Sequence, residues 1–228
     1  MNTRRLLFVG LVGLLLLGAG CGESSSNQAN KTKVSKTDSG ENLDVPFTSQ
    51  APEGMWYEPW LNACEETSIF MIDAFYSGEE DITTEEAKEN IRSIFSQKTE
   101  EIEPSLDESA ETIVEIVNLL DLDWKARVVN QPSENDLALE IENGNPVIVP
   151  VYAPELDNPY YTAGGPDYHV MVLTGYDAVS QEFIVNDPGT RYGDELRFSY
   201  DVLMDAIHNL NQSDYDAGAK KVVFTTRN

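Results

Sequence analysis

Two cysteines and two histidines are all that 228 residues offer for thiol or imidazole chemistry. Cys64 stands in the run Asn62-Ala63-Cys64-Glu65-Glu66-Thr67-Ser68, and Ile69, Ile72 and Phe75 or Tyr76 then recur at helical spacing. That spacing predicts a helix over residues 62–76, opened by Asn62 and stopped by Gly78. A thiol in the first helical turn meets unpaired N–H groups and the positive end of the dipole, which favour the nucleophilic thiolate. Glu65 and Glu66 oppose that effect, so a positive partner is needed. Taken alone, Cys64 is more often a structural cysteine on a core helix, because free cysteine is among the most buried residue types.

The base is found by elimination. His169 lies in Asp167-Tyr168-His169-Val170-Met171-Val172-Leu173, at the mouth of an apolar strand, where a rigidly held imidazole suits a general base. His208 falls in a polar segment predicted as a helix over residues 202–210, and reads as a solvated surface residue. Asp187, in Val185-Asn186-Asp187-Pro188-Gly189, ends the next predicted strand. Adjacent antiparallel strands would bring it beside His169, where a carboxylate fixes the imidazole tautomer and stabilises the imidazolium. On its own the same run reads as a turn. Gln50, fourteen residues before Cys64, carries an amide that could serve an oxyanion beside the Cys64 backbone N–H.

The elements that must position these side chains change character along the chain. A short strand is expected over residues 43–49, then a loop over 51–59 broken by Pro52, Gly54 and Pro59. Thr83 with Glu86 makes a capping box for a helix to about residue 95. Ser105 with Glu108 repeats the device before the stripe Ile113, Ile116, Val117 and Leu120. Strands are predicted over 124–129, 147–152, 168–176, 183–185, 196–200 and 220–225, with a short helix opened by Ser133 and closed near Gly144. The loop 153–167, rich in Pro, Gly and Tyr, is too long for a plain connection and is a candidate rim of a cleft, with Tyr152, Tyr160 and Tyr161 either walling it or packing the loop. Helices first and strands later give an α+β domain, with helices on one side of a mostly antiparallel sheet.

Four blocks in this order carry a resemblance: Val45-Pro46-Phe47-Thr48-Ser49-Gln50, Trp60-x-x-Ala63-Cys64-Glu65-Glu66-x-Ser68, His169-Val170-Met171-Val172-Leu173-x-Gly175-Tyr176-Asp177, and Val185-Asn186-Asp187-Pro188-Gly189. Together they resemble cysteine peptidase family thirty-nine, the papain-like group typified by the double-glycine leader peptidases of bacteriocin exporters and their stand-alone relatives. The resemblance spans about residues 43–226. It implies a papain-like fold with Cys64 as nucleophile, His169 as general base and acid, Asp187 as orienting acid and Gln50 as oxyanion donor. The reaction implied is hydrolysis of a peptide amide through a thioester. Two departures stand out: the leader peptidases usually have a small residue where this chain has Glu65, and their glutamine lies closer to the cysteine, so residues 51–63 must loop out. No transporter segment follows, so cleavage coupled to export is not expected. A binding module that kept the fold without catalysis, an acyl transferase and a cell-wall amidase share this scaffold as alternatives.

The N-terminus is a separate unit. Arg4 and Arg5 precede an apolar run over residues 6–17, then Gly18, Ala19 and Gly20 lead to Cys21. This is the anatomy of an export signal, too short for a comfortable membrane span. Leu17-Gly18-Ala19-Gly20-Cys21 resembles a bacterial lipoprotein box, with Gly18 where a large aliphatic residue is preferred; it implies cleavage after residue 20 and acylation of Cys21. An ordinary secretory signal that happens to contain a cysteine is the alternative. Residues 21–42 read as a flexible tether that holds the domain, residues 43–228, off the membrane. The formal net charge is −25, and loss of Arg4 and Arg5 with the signal makes it more negative by two. That charge argues against nucleic acid as a partner. The expected partners are a peptide or protein substrate and, through lipid, the membrane. The histidines and cysteines form no zinc-type ligand set, and no glycine-rich phosphate loop occurs, so no metal or cofactor is expected.

Overall fold

The computed structural model describes residues 39–102 and 105–228. The export signal, Cys21 and the tether up to residue 38 lie outside the described residues. The apolar runs of the second half become β2 (Trp124–Asn130), β3 (Val147–Tyr152), β4 (Tyr168–Asp177), β5 (Glu182–Asn186), β6 (Leu196–Ser199) and β7 (Lys221–Arg227). They form one sheet in the order β2-β7-β3-β4-β5-β6, and every pairing is antiparallel. The two-residue strand β1 (Glu41–Asn42) adds to β4 at Tyr176 and Gly175. Gly175 is required there, because a Cβ would come within 2.5 Å of Asn42 Oδ1 and 2.7 Å of the Glu41 carbonyl.

The helices cover both faces, not one. Cys64–Ser77 (α1), Thr84–Glu101 (α2) and Ala110–Leu119 (α3) share a core with Ile148, Val170, Val172 and Val223. Glu134–Glu142 (α4) and Tyr200–Ala206 (α5) pack on Val149, Val151, Met171 and Leu173 from the other side. The reason is visible in β3 and β4, which are apolar at nearly every position and so need cover on both faces.

Several ends differ from the predicted ones. Residues 43–49 form no strand beyond β1: Pro46 has no N–H to give, and the segment is tied instead by Leu43 N–H to the Thr174 carbonyl at 2.9 Å and by the Asn186 amide to the Val45 carbonyl at 2.9 Å. Asn62 does not cap α1; its amide donates to Glu58 Oε1 at 2.8 Å, and Ala63 precedes the helix without a side-chain cap. Gly78 ends α1 in the left-handed conformation, φ 79°, as its position predicts. The Thr83–Glu86 capping box forms, and α2 runs past residue 95 to Glu101. Ser109, not Ser105, caps α3, because Glu108 is drawn inward to Lys98. Helix α5 stops at Ala206, and the chain then runs beside β3 through a Val151–Ile207 bridge. His208 is therefore not a solvated helical residue. It is buried, with its backbone N–H on the Pro150 carbonyl at 3.1 Å and its ring edge-on to Tyr152.

Candidate active site

Cys64 is the first residue of α1 and opens onto a cleft of about 740 Å³, lined by Gln50, Asp107, Tyr161, His169 and Tyr192 among others. His169 is the second residue of β4. The β4–β5 ladder ends at the pair Val172–Asn186, so Asp187 lies one step beyond it, level with Met171, which shares a face of β4 with His169. His169 Nε2 and Asp187 Oδ1 are 2.7 Å apart, both buried. Three further donors satisfy the carboxylate: Gly189 N–H on Oδ1 at 2.8 Å, and Tyr161 O–H at 2.8 Å and the Asn158 amide at 2.9 Å on Oδ2. A Cβ at Gly189 would stand 2.8 Å from the His169 ring and 3.1 Å from Asp187 Oδ1, so only glycine leaves room for the pair. The bond occupies Nε2 and leaves Nδ1 as the ring nitrogen available to a reacting group.

The loop 153–167 does more than border the cleft. Tyr161 stacks edge-on against His169, with centroids 5.9 Å apart, while its hydroxyl binds Asp187. Burial and the Asp187 charge hold this phenol well above its usual range, so it serves as a donor. Tyr160 pairs with Tyr192 at 5.4 Å on the exposed rim. Tyr161 stands in the tyrosine run that the sequence singles out. Asn158 gave no signal of its own beyond belonging to that loop.

Gln50 is buried beside Cys64, but not as a free donor. Its Nε2 donates to the carbonyls of Trp60 and Leu61, each at 3.0 Å, so both amide N–H groups are committed. In this conformation the amide closes the looped-out segment ahead of Cys64. That segment holds only tight turns and one short 3-10 helix, Trp60–Asn62, whose Trp60 and Leu61 carbonyls take the Gln50 amide as donor.

The thiol itself is not in an electropositive setting. Cys64 Sγ donates to Glu65 Oε2 at 3.1 Å, and its hydrogen bond goes to this carboxylate rather than to His169. Burial, then the charge and hydrogen bond of Glu65, push the thiol well above its usual range; the Val170 backbone N–H acts the other way and is outweighed. Glu65 is pushed up to about 8 by burial and by Glu66, against the pull of the Glu108 N–H that binds Oε1 at 2.8 Å. Glu66 pairs with Lys98 at 2.5 Å, and Lys98 reaches Glu108 at 3.1 Å. All four side chains are buried. The positive partner that the sequence called for is thus present near α1 but bound to Glu66 and Glu108.

A model of the Peptidase_C39 like family matches residues 42–217. The fold is shared by the crystal structure of a candidate C39-like peptidase from Bacillus anthracis, with a TM-score of 0.53 and 15% identity, over 83% of this chain and 98% of that one. No curated protein matches the chain.

Proposed function

Since the chain belongs to the C39-like peptidase family, we propose that it is a cysteine peptidase with Cys64 as nucleophile, His169 as general base and acid, and Asp187 as the group that orients the imidazole. The observation that carries this reading is the buried 2.7 Å His169–Asp187 pair in the wall of the cleft that Cys64 opens onto. With Nε2 held by Asp187, Nδ1 takes the thiol proton. The sulfur then attacks the peptide carbonyl, and the C–N bond breaks as Nδ1–H protonates the leaving amine. Water, deprotonated by the same nitrogen, hydrolyses the thioester and restores the thiol. The backbone N–H of Cys64, at the uncapped start of α1, is the oxyanion donor of this scheme. Gln50 joins it when one of its N–H groups turns from the loop carbonyls.

The test is hydrolysis of a mixed peptide library followed by mass spectrometry. New termini are expected with the full chain and none with Cys64→Ala or after iodoacetamide. Products that persist in Cys64→Ala, or a folded wild-type protein that cleaves no peptide and transfers no acyl group to an added amine, would sink the reading.

The proposal extends to location: export and anchoring to the bacterial membrane by lipid on Cys21, the domain standing off on residues 22–40, since Glu41 and Asn42 already pair with β4. Support comes from Arg4, Arg5, the apolar run 6–17 and the small residues before Cys21. Several acyl chains on one residue anchor firmly where one chain is marginal. Cells fed a labelled fatty acid should label the protein, and Cys21→Ser should abolish the label; equal labelling of both forms rules out that anchor.

A further inference from the structure

We propose that Glu65 is a positioning residue for the nucleophile: it holds the Cys64 thiol as a docked proton donor, and attack begins only when the thiol leaves that carboxylate and gives its proton to His169. The inference rests on Cys64 being the nucleophile. Its basis is geometric. The carboxylate is fully buried, and Oε2 receives the thiol at 3.1 Å. The other oxygen is pinned by the Glu108 N–H at 2.8 Å, so the group cannot swing away. A small residue at position 65 would leave the thiol without this acceptor.

The charges around the sulfur strengthen the hold. Glu65 and Glu66 act on it from α1, and Tyr168 of β4 and Tyr161 of the loop feel its charge; Asp107 and His169 line the same cleft, and Glu108 holds Glu65. Lys98 of α2 is the cation of this group among the described residues, and Glu66 and Glu108 bind it. The acids nearest the sulfur favour the protonated thiol, and Glu65, pushed up to about 8, is ionised by the pH at which the thiol titrates. In the activating step the Sγ–H···Oε2 hydrogen bond is given up, the S–H bond breaks, and an N–H bond forms at His169 Nδ1. The thiolate is then free to attack.

The experiment is alkylation of Cys64 by iodoacetamide in the full chain across about pH 5 to about pH 10, read from the mass of the Cys64 peptide so that Cys21 does not interfere. Glu65→Gln removes the charge and keeps an oxygen for the Glu108 N–H. The midpoint of its rate profile is expected about one pH unit or more below wild type, because Glu65 is ionised over the range where the thiol titrates. A loss of packing alone would change the Tm and leave the midpoint in place. An unchanged or raised midpoint overturns the proposal. If Glu65→Gln does not fold, Glu65→Asp, which keeps the charge but draws it back from the sulfur, is expected to shift the midpoint in the same direction by less; no shift there overturns it too. A shift in Glu65→Gln together with no response of alkylation to His169→Ala would uphold the role of Glu65 and overturn the peptidase mechanism instead.

Discussion

Asp187→Ala is expected to lower the turnover of peptide hydrolysis about 100- to 10,000-fold and to cost about 2–4 kcal/mol of stability. Both effects follow from the same four hydrogen bonds. The carboxylate accepts from His169, Gly189, Tyr161 and Asn158, and it is fully buried. Truncation leaves several buried donors without an acceptor, which is the costly half of a hydrogen bond. It also frees the imidazole to rotate and removes the charge opposite the imidazolium that forms during attack. Asp187→Asn separates the two contributions. Its amide oxygen can keep His169 and Gly189, while its N–H2 faces the loop, where the Tyr161 hydroxyl can turn to accept but the Asn158 amide, its oxygen held by Tyr160 N–H, loses its acceptor. Part of the stability should return, yet turnover should stay about tenfold or more below wild type because the charge is gone. Steady-state hydrolysis and urea unfolding of the two variants decide the matter. If both lose stability and neither loses turnover, Asp187 is a turn residue and its role in orienting His169 is refuted.

The features legible in the sequence were local ones. Val147–Tyr152 matches its apolar run residue for residue, and β4 begins at Tyr168 as the run around His169 predicts. Gly78 and the Thr83–Glu86 box act at the ends of α1 and α2 because each needs only its own neighbours along the chain. The Ser105–Glu108 pattern has the same form and fails, since Lys98 and Glu65 claim Glu108 from elsewhere in the fold. Distance along the chain also hid the setting of the thiol. In the sequence Glu65 and Glu66 are first-turn acids that oppose a thiolate, but α1 is buried around nearly its whole circumference, so their partners come from α2 and the approach to α3. Gln50 was legible as a neighbour of Cys64, while the commitment of its N–H groups depends on how residues 51–63 loop out. His208 turned inward because α5 ends early and the following chain joins β3.

The buried acids make a second large effect predictable. Lys98→Met is expected to destabilise the domain by about 3–5 kcal/mol near neutral pH, a fall in Tm of about 10 °C for a chain of this size. Burial works against the charge on Lys98, but Glu66 and Glu108 outweigh it and raise the group above its ordinary value. Methionine matches the stem and removes the ammonium, leaving Glu65, Glu66 and Glu108 buried together without a cation. The sign of the pH dependence follows from proton binding. Glu65, raised from 4.5 to about 8, holds a proton in the folded state that the unfolded chain has lost. Its contribution is fully present below about pH 4.5 and disappears as pH rises towards about 8. Without Lys98, Glu108 joins it, because burial raises this group and the opposing pull of Lys98 is gone. The deficit of Lys98→Met relative to wild type should therefore be small in acid and grow towards neutrality. Urea midpoints measured at about pH 4.5 and about pH 7.5 test this, and adding Glu66→Gln to Lys98→Met should recover part of the neutral-pH loss. A deficit of equal size at both pH values would mean that Lys98 contributes through the packing of its stem against Phe95 and its neighbours, and that its charge does not hold the acids beside Cys64 in place.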